Sequence, residues 1–282
     1  MSRTYRFVIV DVFTDVPFTG NQLGVFTNAE GLSGEQMQAL AQELGFSETT
    51  FVLRPEADGD IRMRIFTPVR EIPFAGHPTL GTAFVIAGPL QKVLLRIETD
   101  AGIVPVVLER EGARIVFGRM EQPLPTVRAV EDPRRLLDAL GVRESPLPVE
   151  RYDNGPQHLL VALGSSAEVT ALRPDMQRLA GAAGDATVSC FSWSGPAVKA
   201  RVFAPGLGAG EDAATGSAAG PLAVHLARHG QIEWGQEIEI SQGTEIGRPS
   251  VLWATAEGEP GQVRRVEVGG AAVVVARGEF TV

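Results

Sequence analysis

Cysteine is nearly missing. Cys190 stands alone in 282 residues, which excludes an internal disulfide framework and any cysteine-rich metal site. It also excludes proton transfer by two thiols placed on opposite sides of a ligand. Cys190 itself lies in TVSCFSW, a strand-like stretch, and is assigned to the core. Aromatic residues make up only 6% of the chain, there is no basic tract, and the formal net charge is −9. A nucleic-acid or anionic-membrane partner is therefore not expected. No apolar run approaches the ~20 residues of a membrane span. The opening MSRTYRFVIVDVF alternates apolar with polar residues and contains Asp11, so it has no signal-peptide core. The expectation is a cytoplasmic protein with a small-molecule substrate.

Glycine, in contrast, is abundant, with 32 residues. It suits tight turns and closely packed small-residue helices. With 44% hydrophobic and 21% charged residues, the chain has a globular composition and the length for two domains.

The chain also repeats itself. MRIFTP (63–68) resembles ARVFAP (200–205), and MQALAQELG (37–45) resembles MQRLAGAAG (176–184). GNQLGVF (20–26) echoes GPQHLLV (155–161), GHPTLGTA (76–83) pairs with GSAAGPLA (216–223), and IETDAGIV (97–104) loosely matches EISQGTEI (239–246). All five pairs fall in the same order at offsets of about 135–145 residues, the mark of an internal duplication. The expected division is 1–122 for a first half carrying Glu48 and His77. Residues 123–282 form a proline-bounded connector and a second half carrying Asp212 and Ser217, with the C-terminal strand able to pack back on the first half.

Each half reads as α+β. In the first, a period-2 strand (YRFVIVDVF) precedes a turn at Gly-Asn. SGEQMQALAQELG follows as an amphipathic helix with Ser33 as N-cap, Gln36 completing a capping box and Gly45 as C-cap. In IRMRIF, Ile61, Met63 and Ile65 share one face and Arg62 and Arg64 the other. Residues 79–87 are apolar almost all round, which marks a buried helix. Many strands curled round one such helix, twice over, gives two pseudo-symmetric β-barrel-like halves with a cleft between them as the expected ligand site.

The helix openings suggest what that site holds. Proline is favoured at the first helical position, so GHPT reads as a helix start with Gly76 and His77 at its mouth. Gly216 and Ser217 occupy the same place in the second half. Helix N-termini carry unpaired N–H groups and a positive dipole end, and glycine lets a ligand approach the backbone. Asp212 precedes the second mouth. Glu48 follows the helix that ends at Gly45, and its counterpart in the second half is Thr187, leaving a single acid on one side. Gln242, Gly243, Arg248 and Ser250 form a candidate anion-binding loop at the rim.

In order along the chain, FTGNQLGVF, LGFSETTFV, FAGHPTLGTA, EDAATGSAAGPL and QGTEIGRPS together resemble the phenazine-biosynthesis isomerase (PhzF-like) family, over essentially the full length. The resemblance implies a diaminopimelate epimerase-like fold, a homodimer, and action without cofactor or metal. It places the catalytic glutamate on Glu48, the family's histidine on His77, and its acid and serine on Asp212 and Ser217, with Gly76 and Gly216 lending backbone amides. The activity it implies is a proton shift within a small carboxylate-bearing metabolite, as in the conversion of a dihydro-hydroxyanthranilate diene into a ketone. The alternative is a non-catalytic small-molecule- or protein-binding member of the same fold, which need not keep all four side chains.

Two further signals are set aside. Gly208, Gly210 and Ala213 imitate a dinucleotide fingerprint, but Pro205 intervenes and no acid follows at the required spacing. His225 and His229 are four apart on a helix, as zinc ligands can be, yet no third ligand stands near them in the sequence.

Overall fold

The computed structural model describes residues 3–207 and 210–282. Gly208 of the imitation fingerprint lies outside the described residues. The chain forms two compact units, one of residues 1–121 with 269–282 and one of residues 122–268.

In the first unit, β1 (Thr4–Val12) pairs antiparallel with β2 (Asn21–Phe26). After α1 (Gly34–Leu44), β3 (Glu48–Leu53) joins β2 in parallel and β4 (Ile61–Phe66) joins β3 antiparallel. The short β5 (Glu71–Ile72) lies on β4, and α2 (Gly76–Leu90) follows. The strands β6 (Leu94–Thr99), β7 (Gly102–Glu111) and β8 (Arg114–Glu121) continue from β4. The chain's last strand, here β18 (Ala272–Thr281), runs antiparallel to β1.

Pleat alternation sorts this sheet into two faces. Tyr5, Phe26, Phe51 and Phe66 join Met37, Leu40 and Ala41 in a cluster beneath α1. Side chains of the opposite parity meet α2, where a Cβ on Gly81 would stand 2.7 Å from both Leu23 and Val12. Only a glycine lets that helix lie so close to β1 and β2. The helix packs against β1, β2, β3, β6, β7, β8 and β18, and its mean character is apolar on every side, as 79–87 suggested. It opens earlier than that, at Gly76, so Pro78 is its third residue and not its first. The ring is tolerated there because the first-turn N–H groups have no intrahelical acceptor. The capping box of Ser33 and Gln36 and the left-handed Gly45 cap bound α1.

The second unit repeats the pairing pattern. From β9 (Thr126–Ala129), α3 (Arg134–Leu140) leads to β10 (Glu150–Asp153), antiparallel to both β9 and β11 (Gln157–Ala162). After α4 (Ser166–Ala171) and α5 (Met176–Ala183), β12 (Thr187–Ser194) pairs parallel with β11 and antiparallel with β13 (Ala197–Ala204). β14 (Gly210–Asp212) flanks β13, as β5 flanks β4. α6 (Gly216–Arg228) then precedes β15 (Ile238–Gln242), which is parallel to β13, and β16 (Ser250–Glu259) and β17 (Gln262–Gly270) close the meander. The stretch that reads as a connector is built into this unit: Leu136, Leu137 and Leu140 of α3 share a core with Leu159, Val161, Leu179, Val188 and Cys190. Burial pushes the Cys190 thiol well above its usual pKa, as fits a core residue.

Among the described residues no helix is long and apolar enough to cross a membrane.

Candidate active site

In the first unit the α2-facing parity of β2 and β3 decides which polar groups meet the helix mouth. Thr50, on that face, exchanges a 2.8 Å hydrogen bond with Thr82 of α2. Two residues earlier on the same face stands Glu48, the first residue of β3. Its Oε2 lies 3.4 Å from His77 Nε2, with Glu48 15% exposed and His77 4%. Asn21, which begins β2, contacts His77 Nδ1 through Nδ2 at 3.3 Å, and Ser47 donates to Asn21 Oδ1 at 3.3 Å. The parallel pairing of β2 with β3 brings both strand starts to the same end of the sheet, so Asn21, Ser47, Glu48 and His77 form one polar group at the opening of α2. Burial drives the His77 pKa down to about 3, against the opposing pull of the Gln22 backbone. The ring is neutral near pH 7, and it donates or accepts hydrogen bonds there without carrying charge.

In the second unit Asp212 ends β14 just before α6. Thr215, the N-cap residue, makes no side-chain cap; its hydroxyl donates instead to Asp212 Oδ2 at 2.6 Å. Gln242 locks this turn from the side. Its Nε2 donates to the Asp212 carbonyl at 2.9 Å and contacts Thr215 Oγ1 at 3.0 Å, and its Oε1 accepts the Thr215 N–H at 3.3 Å. Gly243 follows at φ 78°, where a Cβ would meet the Arg248 and Ala213 carbonyls at 2.3 and 2.5 Å. Ser250 donates to the Arg248 carbonyl at 2.9 Å. The side chains of Gln242 and Ser250 are thus used inside the protein, Gln242 bracing the Asp212 turn and Ser250 the loop at Arg248, while Arg248 is half-buried. Gly216 and Ser217 are the first two residues of α6, and both are buried.

The first turns of α2 and α6 share an electrostatic property. Neither contains an acidic residue, and neither N-cap supplies a side-chain bond. Their N–H groups keep a positive potential that an anionic ligand would meet.

Comparison with known proteins places this arrangement. The family model of phenazine biosynthesis-like proteins (PhzC-PhzF) matches residues 10–278. The chain belongs to this family. The chain is 50% identical to trans-2,3-dihydro-3-hydroxyanthranilate isomerase of Pseudomonas aeruginosa, over 97% of its own length and 98% of that protein's. A Bacillus anthracis phenazine biosynthesis protein of the PhzF family superposes with a TM-score of 0.86 at 26% identity, covering 99% of each chain. A hydroxyproline epimerase from Agrobacterium vitis shares the fold alone, with a TM-score of 0.70 at 12% identity over 99% of this chain and 91% of that one. The fold is therefore diaminopimelate epimerase-like, and this PhzF-family chain is an isomerase. The non-catalytic alternative is not favoured.

Several supporting residues have a role that their place in the sequence does not reveal. Asn21 and Ser47 sit inside FTGNQ and FSET, but only the folded strands show that Asn21 meets His77 and that Ser47 meets Asn21. Asn154 donates to the Ser217 carbonyl at 3.0 Å. Pro221 has no N–H, so it cannot bond that carbonyl four residues back within α6, and Asn154 takes its place. Gln122 likewise donates to the Gly216 carbonyl at 2.8 Å.

The dismissal of His225 and His229 for want of a third ligand is corrected by the fold. Glu150 of β10 stands beside them, 75 and 79 positions away in the chain, with Oε2 3.1 Å from His225 Nδ1 and 3.2 Å from His229 Nε2. Burial would raise the Glu150 pKa, but hydrogen bonds from His225, Tyr152 and His229 outweigh it and hold the carboxyl at about 2.

Proposed function

We propose that this chain shifts a proton between carbons of a small, unsaturated, carboxylate-bearing ring metabolite, without a cofactor, with Glu48 as the general acid/base. The observation that carries the reading is the Glu48–His77 pair at the opening of α2, a carboxylate beside a buried neutral imidazole. Glu48 takes a proton from one carbon and returns it to another. His77 stays neutral, so it does not compete for that proton and is available to orient the carboxylate or polarise a substrate oxygen. The Gly76 and Gly216 amides, with Ser217 and Asp212, bind the substrate's anionic and polar groups, and Arg248 adds positive charge near the second mouth. The identity to the Pseudomonas enzyme supports its own substrate, trans-2,3-dihydro-3-hydroxyanthranilate, as the class to test first. The family resemblance supports a homodimer and cytoplasmic action.

The test is isotope exchange. With trans-2,3-dihydro-3-hydroxyanthranilate in deuterated water, the wild-type protein should introduce deuterium at carbon as the ketone forms. Glu48→Gln keeps the shape but cannot carry the proton, and exchange should fall by ~10²–10⁴-fold with affinity within about tenfold. Equal exchange by Glu48→Gln would remove Glu48 from the role and make Asp212 the next candidate.

A further inference from the structure

The second unit contains a polar cluster that the isomerase reading does not use. Glu150 is buried on β10, on the face of the sheet that meets α6. His225 and His229 are one turn apart on α6, His225 fully buried and His229 with a side chain 21% exposed at the rim. Their three ligand atoms all lie within 4.8 Å of one another, and the two nitrogens stand 3.1 and 3.2 Å from the same carboxylate oxygen. We propose that Glu150, His225 and His229 form a binding site for a first-row divalent cation, with zinc as the metal that fits it best.

The spacing is the first reason. Zinc bonds of about 2.0–2.1 Å in tetrahedral geometry put neighbouring ligand atoms roughly 3.3–3.4 Å apart. The cluster is within a few tenths of an ångström of that on both carboxylate edges, and the third edge is bounded at 4.8 Å, so side-chain adjustments of no more than about 1–2 Å admit the ion. The donor set is the second. Two imidazoles and a carboxylate suit zinc, with water or another ligand in the fourth position.

The surroundings are the third. Tyr152 donates to Glu150 Oε2 at 2.8 Å, the kind of outer hydrogen bond that orients a ligating carboxylate. Arg228 approaches the other oxygen, Oε1, at 3.5 Å and leaves Oε2 facing the histidines. Among the described residues His225 Nε2 has no hydrogen-bond partner, and it would carry the ring proton when Nδ1 binds the metal. Entry is from the His229 side.

The site lies toward the C-terminal end of α6. His225 stands eight positions after Ser217, so at 1.5 Å per residue the cluster begins on the order of 12 Å along the helix from its mouth. A cation there ties β10 to α6 and does not take part in proton transfer. The inference is accordingly independent of the assigned chemistry.

The experiment uses the whole protein, stripped with a chelator and dialysed. Calorimetric titration with Zn²⁺ should show one saturable site per chain, and Zn²⁺ should raise the melting temperature. Co²⁺ should give the intense visible bands of a four-coordinate site with nitrogen and oxygen ligands. His229→Gln, at the partly exposed rim, should keep the circular dichroism spectrum of the stripped wild type and lose at least about tenfold in Zn²⁺ affinity. Glu150→Gln should do the same in affinity. Absence of saturable binding to the stripped wild type, or unchanged affinity in a folded His229→Gln, would overturn the proposal.

Discussion

The two helix mouths are built on one plan and furnished differently. In the first unit Leu23 of β2 stands in register with Glu48 of β3. In the second, His158 of β11 stands in register with Thr187 of β12, bonded to it at 2.7 Å. The same pleat position holds an acid in one half and a hydroxyl closed onto a buried imidazole in the other. At the second helical position the exchange runs the opposite way, with His77 on α2 and Ser217 on α6. Each unit thus sets a buried histidine against this strand position, but only in the first is the partner an acid. Duplication preserved the backbone frame and allowed the chemistry to become one-sided.

The sharpest way to break this comparison is to make the first mouth like the second. Glu48→Thr should lower exchange into substrate by ~10²–10⁴-fold, whereas Thr187→Val should leave it within about tenfold. Deuterium incorporation measured on both variants decides between them. Comparable losses from the two would show that proton transfer is not confined to the first half.

The second mouth is tested by affinity. Ser217→Ala removes one hydroxyl beside an uncapped helix start, where a bond to a charged group contributes about 1.5–3 kcal/mol. Substrate should bind roughly ten- to a hundredfold more weakly in calorimetry, with turnover at saturation little changed. A loss confined to turnover would instead give Ser217 a role in the reaction.

The prolines of the two helices also differ. α2 has Pro78 in its first turn and Pro89 next to its last residue, whereas Pro221 lies mid-helix in α6 and frees the Ser217 carbonyl for Asn154. Asn154→Ala should therefore strand a buried acceptor and cost about 1–3 kcal/mol of stability, read from the urea midpoint. An unchanged midpoint would mean that the carbonyl has found another donor.

The effect of pH is small for one histidine at each step and accumulates. Burial lowers the pKa of His77 to about 3 and that of His158 to about 4, the latter against a slight opposing pull from Asp153. The unfolded chain takes up a proton on each near pH 6.5 and the folded chain does not. Stability is accordingly complete above that pH and falls as pH drops toward 4, by about 1.4 kcal/mol per pH unit for each histidine. Burial lowers the His225 pKa as well, so urea midpoints between pH 7 and 4.5 should show the summed slope, and His77→Asn or His158→Asn should each remove its own share, about 1.4 kcal/mol per pH unit. A slope carried by one histidine alone would show that the two buried rings are not equivalent.

Much of this was legible in residue order. The α+β class, the capping box at Ser33, the αL glycine at Gly45, the alternating face of IRMRIF and the buried helix after Gly76 are local patterns. They depend on neighbours two to four residues apart. The duplication was legible because its halves have kept similar strings at near-constant separation. The motif residues Glu48, His77, Asp212 and Ser217 could be named, and Thr187 identified as the counterpart of Glu48, by counting alone.

Tertiary structure decided which polar groups complete each mouth, because those contacts depend on strand pairing and not on proximity in the chain. Parallel pairing of β2 with β3 brought Ser47 to Asn21 and Asn21 to His77, and a bond across 63 positions gave the Ser217 carbonyl to Asn154. The candidate anion loop became in part a brace, since Gln242 meets the backbone of the Asp212 turn only once β15 has folded beside β13. Glu150 reached His225 and His229 by the same route, from a strand more than seventy residues earlier. A helix can display two histidines at ligand spacing from sequence alone. The third group arrives only when a sheet wraps the helix and turns the correct parity of β10 toward it.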